Sequence, residues 1–294
     1  MRQLIINGDD FGLHELINEG IIESHTNGCL TSTTLMAGGP AFEHAVALAK
    51  QHPKLGVGVH LALVGTRPAA RANVNTLVTR DGQFFPSYKE FAWQYLQGKI
   101  AKEHIRYELW CQMQKVIGHG ISITHIDSHQ HLHVLPGLAE IIGSLAAEFH
   151  IEKIRIPSEP VFFFGPSKNS FSRIAARTVL TGCSKIAERY YRKIGLCAPA
   201  QFYGMLAGGA MSQQVLQHII KKLPEGVSEI MVHPGRDRQA LSQLFTWGYR
   251  WQDELEALRS QSVLQEIKDS SIELISYQQL GKLQSAQEAE VSKI

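Results

Sequence analysis

Eleven consecutive residues, Thr124 to Val134, hold four of the fourteen histidines in the chain: His125, His129, His131 and His133. Imidazole is a common metal ligand near neutral pH, and the end of a strand can aim several rings at one point. The competing account is a hydrated loop that is merely rich in histidine. A second constellation stands near the N-terminus, where the apolar run Leu4-Ile5-Ile6 breaks into Asn7-Gly8-Asp9-Asp10-Phe11-Gly12. Adjacent carboxylates repel each other. In a partly buried cleft one of them calls for a cation, and the other is left to accept a proton. A turn with a helix cap would use the same residues, since Asp and Gly suit both and Glu15 follows closely.

Three further apolar runs close on a polar group. Gly56-Val57-Gly58-Val59 ends in His60, and Glu229-Ile230-Met231-Val232 ends in His233 before Pro234 and Gly235 force a turn. Between them in sequence, Ile154 leads into Arg155. A lone histidine at a strand end is often a hydrogen-bonded structural residue, and an arginine there can be a plain salt bridge. Arg155 could equally pair with Asp9 and hold it ionised, or bind substrate.

These residues need a scaffold that brings distant strand ends together. Strand-like runs near Leu4, Ser32 to Leu35, Gly56 to His60, Ile121 to Ile126, Lys153 to Ile156, Glu229 to Val232 and Ile272 to Ile275 alternate with longer helical stretches. Amphipathic spacing marks Leu16 to Ile22, Phe42 to Ala49, Tyr107 to Ile117, Leu138 to Phe149 and Val215 to Leu223. Alternation of this kind is the mark of a parallel α/β fold. With about seven repeats in 294 residues, a (β/α) barrel of TIM type, complete or distorted, is favoured over an open doubly wound sheet. Barrel active sites gather at the C-terminal ends of the strands, where every candidate above lies.

Together, the Asn7 to Gly12 motif, Gly58-Val59-His60-Leu61, the histidine-rich Thr124 to His133 segment and His233-Pro234 resemble the YdjC/ChbG family of carbohydrate deacetylases over most of the chain. Within it the chain looks closest to the hopanoid biosynthesis-associated HpnK branch. The features behind that likeness are the N-terminal motif, Ile154-Arg155-Ile156-Pro157-Ser158-Glu159-Pro160 and a basic helical insertion after it. The resemblance implies a barrel-like α/β fold, one divalent metal held by an Asp and two His, with magnesium as the ion, and removal of an N-acetyl group from an amino sugar. Carried over by motif, Asp10, His60 and His129 are the ligands and Asp9 is the free base. His125, Asp127, His131 and His133 then support the ligands or face substrate. His131 and His133 share one side of an extended segment with His129, so the choice among the three stays open.

Amide hydrolysis needs an activated water, a polarised carbonyl and a protonated leaving amine. A metal with open positions would serve the first two, Asp9 would take the proton of the water, and His233 would donate one to the departing nitrogen. One carboxylate and two imidazoles suit zinc or another transition ion, whereas magnesium prefers oxygen. The substrate expected is a chito-oligosaccharide or an N-acetylglucosaminyl group on a hopanoid-type lipid. The rivals are a metal-dependent hydrolase of another ester or phosphate bond, and a non-catalytic metal- or sugar-binding module. A free acid paired with a candidate proton donor argues against mere binding.

Composition and charge set outer bounds. At 44% hydrophobic residues the chain can bury a large core as one domain, expected over residues 1–283, with a flexible tail at 284–294. A net charge of +2 gives no bulk attraction to a nucleic acid. Cys29, Cys111, Cys183 and Cys197 lie too far apart for Cys-x-x-Cys chemistry and read as reduced, buried thiols. With no secretory signal pattern and no apolar run of membrane-spanning length, the expected location is the cytoplasm.

One segment departs from a simple barrel. In an insertion at about 158–200, the stretch Ser172 to Ile194 carries Arg173, Arg177, Lys185, Arg189, Arg192 and Lys193 against the single acid Glu188. A basic amphipathic helix at 172–194 could rest on an anionic membrane surface, at the inner face, beside a lipid-linked sugar. It could instead form a lid over the barrel or a contact in a homodimer. The long loop from Gly65 to Tyr88 offers Phe84, Phe85 and Tyr88 either to stack on sugar rings or to anchor the loop.

Overall fold

The computed structural model describes residues 1–160, 162–163 and 171–281. The expected tail lies outside the described residues. Seven strands appear in the order β1 (Arg2–Phe11), β2 (Ser32–Leu35), β3 (Gly56–Leu61), β4 (Ile126–Ser128), β5 (Gln201–Tyr203), β6 (Gly226–Val232) and β7 (Ile272–Leu274). Between them run α1 (Glu15–Thr26), α2 (Phe42–Gln51), α3 (Tyr88–Leu96), α4 (Lys102–Gly118), α5 (Leu138–Glu148), α6 (Phe171–Lys193), α7 (Gln213–Lys221), α8 (Arg238–Leu244), α9 (Trp251–Arg259) and α10 (Gln261–Asp269).

All strand pairings are parallel, in the order β4-β3-β2-β1-β6-β5, with β7 beside β1. β6 follows one edge of β1 from Arg2 to Gly8. The other edge is shared by β7 at Arg2 to Leu4 and by β2 from Asn7 onward. Between β4 and β5 the wall is completed by single bridges. Ile126 N–H donates to Lys153 O at 3.0 Å and Ile154 N–H to Cys197 O at 2.9 Å. The result is a distorted (β/α) barrel.

Side-chain alternation along β1 divides the interior. Leu4 and Ile6 join the large core beneath the helices, while Ile5 packs with Ile275, Tyr277 and Leu280 in a small separate cluster. The period of two then puts Asn7 and Asp9 on the same face as Ile5, toward the barrel interior. Burial of both faces explains why β1 and β3 read as nearly continuous apolar runs.

Several local expectations are corrected. The run from Ile121 to Ile126 enters the sheet as a strand only at Ile126, and Lys153 to Ile156 makes bridges rather than a strand. Pro157 and Pro160 bring no N–H to a ladder, which limits any extension there. The strand β5 was not anticipated; it is three residues long and follows the insertion. The segment after β4 is a 3-10 turn from His129 to Val134, with left-handed backbone at Gln130 (φ 55°) and His131 (φ 57°). Period-two alternation therefore does not hold across His129, His131 and His133. Of the four cysteines only Cys29 is fully buried; all four are free.

The helical part of the insertion is α6, and its inner side is fastened to the barrel. The Tyr191 hydroxyl donates to His133 O at 2.6 Å, Ser184 to Pro157 O at 3.0 Å, and Arg177 to Pro160 O at 2.8 Å. Arg173 donates to the carbonyls of Met205 and Gly208. Two of the cations expected on an outward basic face thus serve loop carbonyls instead, a use for which a guanidinium with five donors is suited. In the loop from Gly65 to Tyr88, Phe84 is buried as an anchor, while Tyr88 opens α3 and remains exposed.

Candidate active site

The C-terminal end of β1 bends sharply. Asp10 adopts φ 67° and Gly12 φ 96°, and Leu13 N–H closes the turn on Asp10 O at 3.0 Å. Left-handed backbone at a buried non-glycine residue is uncommon and clusters at functional sites. Here it allows consecutive acids to face different partners. Asp10 Oδ1 lies 3.1 Å from Nδ1 of His129 and 3.4 Å from Nε2 of His60. Asp10 and His60 are buried to within 1% exposure, and His129 to within 7%.

The other nitrogen of His60, Nδ1, is 2.7 Å from Asp127 Oδ1, a contact made possible by the direct register of His60 with Asp127 across β3 and β4. Neither His60 Nε2 nor Asp10 Oδ1 has a hydrogen-bond partner, although both are buried. Buried polar atoms are rarely left so. Ligand atoms of Asp10, His60 and His129 all lie within 4.8 Å of one another, so the donor set fits a divalent cation. Burial alone would raise Asp10, but His129 and His60 overcome it and hold the carboxyl well below the usual range. Burial alone would lower His60, yet the carboxylates of Asp127, Asp10 and Asp9 raise it to about 10. A cation at Nε2 must therefore displace a strongly held proton.

A second group, Asp9, His60 and Asp127, is also close enough to share an ion. It already has a cation in Arg155. The guanidinium meets Asp9 with two bonds of 2.7 Å, Asp127 at 2.6 Å and Glu229 at 2.8 Å, and is itself fully buried. Asn7 adds a bond of 3.0 Å to Asp9, and Tyr277 one of 2.6 Å to Glu229. A bidentate guanidinium–carboxylate pair is among the strongest polar contacts a protein makes. Burial pushes Glu229 up to about 7 in spite of Arg155. Glu229 was legible in the sequence only as part of a strand; its register opposite Ile5 puts it on the same inner face as Asp9.

Asp9, His60, His129 and His233 open together into a cavity of about 650 Å³. α6 supplies Arg173, Ala176, Val179 and Leu180 to its lining, and α3 supplies Tyr88 and Ala92. α6 therefore covers the strand-end face. His233 packs against Tyr249 with ring centres 4.8 Å apart, and its backbone N–H donates to Glu254 at 2.6 Å. Trp247 and Tyr249 complete the wall, with Trp247 5.7 Å from His129. The spacing Phe245-x-Trp247-x-Tyr249-x-Trp251 is the sequence signal that would have found them.

The remaining histidines are separated by the structure. His125 is fully buried, stacked on Tyr277 at 3.6 Å and 6°, and does not line the cavity. Gly58 admits it, because a Cβ there would lie 2.5 Å from the imidazole. Burial pushes His125 down to about 3. His133 uses both nitrogens, with Ser128 Oγ at 2.7 Å and Arg155 O at 2.9 Å, so neither is left for a metal. His131 lines the cavity edge-on to Phe202. The left-handed turn at Gln130 and His131 sends the three rings in different directions, which leaves His129 alone of them beside Asp10.

Comparison with known proteins matches residues 3–269 to the model of the YdjC-like protein family. The chain belongs to the YdjC-like family. A relative named carbohydrate deacetylase, from Clostridium beijerinckii, is 33% identical over 278 residues, covering 95% of this chain and 100% of its own. Another of that name, from Brevibacillus brevis, is 30% identical over 280 residues, with 95% and 100% covered. Among solved structures, a crystal structure from Enterococcus faecalis, described in terms of cellobiose-phosphate cleavage, aligns with TM-score 0.74 and 26% identity over 94% of this chain and 97% of that one.

Proposed function

We propose that this YdjC-like protein is a metal-dependent hydrolase that removes the N-acetyl group from an N-acetylated amino sugar. The observation that carries the reading is the adjacency of two differently equipped acids at the floor of one strand-end site. Asp10 brings an unpartnered oxygen close to two imidazoles, and Asp9 is gripped by both terminal nitrogens of Arg155. The names borne by full-length relatives support the reaction class.

Asp10, His60 and His129 would hold the ion, whose contribution when bound is Lewis acidity toward the amide carbonyl and the attacking water. The protein does the rest. Asp127 takes the Nδ1 side of His60 and so fixes the ring with Nε2 turned toward Asp10. Asp9 accepts the proton of the attacking water, and Arg155 keeps its carboxylate in position. His233, across the cavity, donates a proton to the leaving amine. α6 and Trp247 wall the cavity, and the burial of Asp10, His60 and Arg155 beneath it strengthens their interactions.

Ligand softness favours zinc or another transition ion at such a site, while family resemblance favours magnesium. The sugar is a chito-oligosaccharide or the N-acetylglucosaminyl group of a hopanoid-type lipid. Ala176, Val179 and Leu180 of α6, with Leu132 and Leu135, give the cavity an apolar side that supports the lipid-linked form. Acetate release from both substrate types, with magnesium, zinc or chelator present, tests the reading. Metal-dependent acetate from either supports it; hydrolysis of phosphate or simple esters without acetate from either sugar would overturn it.

A further inference from the structure

A second groove lies on the same strand-end face, with a volume of about 550 Å³. The loops after β1, β2 and β3 build it from Leu13 and His14, Gly38 and Pro40, and Gly65, Thr66 and Arg67; Gln83, Leu244 and Phe245 close it. We propose that this groove holds the pyranose ring next to the acetylated one in an oligosaccharide substrate. The proposal rests on the deacetylase reading above and adds to it a site that selects for chain length.

Three observations argue for a sugar ring there. First, the two cavities are neighbours. Phe245 of the second groove stands 4.9 Å, centre to centre, from Trp247 of the first, and Trp247 stands 5.7 Å from His129. Gly65 forms the saddle between them; a Cβ there would lie 3.5 Å from His129 Nε2, and φ 71° disfavours any side chain. Bare backbone at this point leaves room for a chain to cross.

Second, the groove offers hydrogen-bonding groups that the fold does not use. His14 accepts the Leu16 N–H at Nδ1, which leaves Nε2 as the nitrogen able to donate to a ligand. The Gln83 amide and Thr66 Oγ1 have no hydrogen-bond partner among the described residues, and Thr66 is only 7% exposed. Arg67 adds an exposed guanidinium. Planar amide and guanidinium groups match the paired hydroxyls on the rim of a pyranose.

Third, Phe245, Leu13, Leu244 and Pro40 supply an apolar surface of the kind on which the C–H face of a sugar ring packs. The floor is fixed by close packing, since a Cβ on Gly38 would lie 2.1 Å from Arg67 O. A phosphate site would show converging lysines or arginines, whereas here Arg67 is the single arginine of the lining and no lysine joins it.

The test compares acetate release from N-acetylglucosamine and from its β-1,4-linked di- and trisaccharide, by the full chain and by Gln83→Ala, Arg67→Ala and Phe245→Ala. The native chain should show higher kcat/KM on the disaccharide than on the monosaccharide. Each variant should lower that ratio about tenfold, chiefly through KM. Gln83→Ala and Arg67→Ala remove side chains at the surface of the groove and keep the test valid if Phe245→Ala fails to fold. A native chain indifferent to length, or variants with the native ratio, would overturn the subsite while leaving deacetylation standing. No acetate from any of the three sugars or the lipid-linked one would overturn the functional reading, and the subsite with it.

Discussion

The Nδ1 atom of His60 lies 2.7 Å from Oδ1 of Asp127, and that contact decides which nitrogen of the ring faces Asp10. Asp127 is itself held by Arg155 at 2.6 Å and by Thr34 at 3.0 Å, so the orientation passes from the buried guanidinium to the imidazole. Replacing a carboxylate behind a ligating histidine typically costs about 10–100-fold in metal affinity. Asp127→Asn should weaken cobalt or zinc binding by that factor in calorimetric titration. Native affinity in the variant would contradict the assignment of His60 as a ligand.

In the proposed reaction Asp9 and Asp10 take different roles although they adjoin in sequence. Asp9→Asn should keep the metal and lose about 10²–10⁴-fold in kcat, the usual worth of a general base. His129→Ala should lose both metal and turnover. Elemental analysis beside kinetics on each variant checks the division; an Asp9→Asn protein that binds no metal, or one that stays fully active, would reverse it.

His125 gives the fold a dependence on pH that is independent of the reaction. The folded protein keeps it neutral down to about 3, whereas an unfolded chain protonates it near 6.5. Between those values the unfolded state binds more protons, so the contribution is complete above pH 6.5 and is lost as pH falls toward 3, at about 1.4 kcal/mol per pH unit. His133, held neutral to about 4 by burial, acts in the same direction. Denaturant unfolding at pH 7 and pH 5 should show that His125→Phe loses about 2 kcal/mol less than the native protein over that interval. Equal losses in both would show that His125 is not the group responsible.

Away from the cavity, α6 leaves Phe171 and Ile186 exposed, with Arg192 at the end of the helix. If this side meets an anionic membrane, the protein should pellet with vesicles rich in phosphatidylglycerol at low salt and be released as salt rises. A protein that stays in the supernatant at low salt would leave α6 as a lid alone.

Much of the site was legible because the barrel collects strand ends, and Asp10, His60, Arg155 and His233 each end an apolar run. The choice among His129, His131 and His133 was not. It depends on two consecutive left-handed residues, Gln130 and His131, whose conformation no side-chain pattern announces. Glu229 was hidden by its place inside a strand, since only register with β1 shows that it faces Asp9 and Arg155. Trp247 and Tyr249 lie far along the chain from the histidines they touch, beyond the reach of local periodicity. The strand expected at Lys153 to Ile156 failed for a local reason, the prolines that follow it, yet its few bridges suffice to place Arg155.

The most direct test of the account is acetate release by chelator-treated protein, before and after addition of one equivalent of divalent metal, for the native chain and for Asp10→Asn. The account predicts that the native chain is inactive without metal and recovers on addition, and that Asp10→Asn does not recover. Full activity in excess chelator, or in Asp10→Asn, would contradict it.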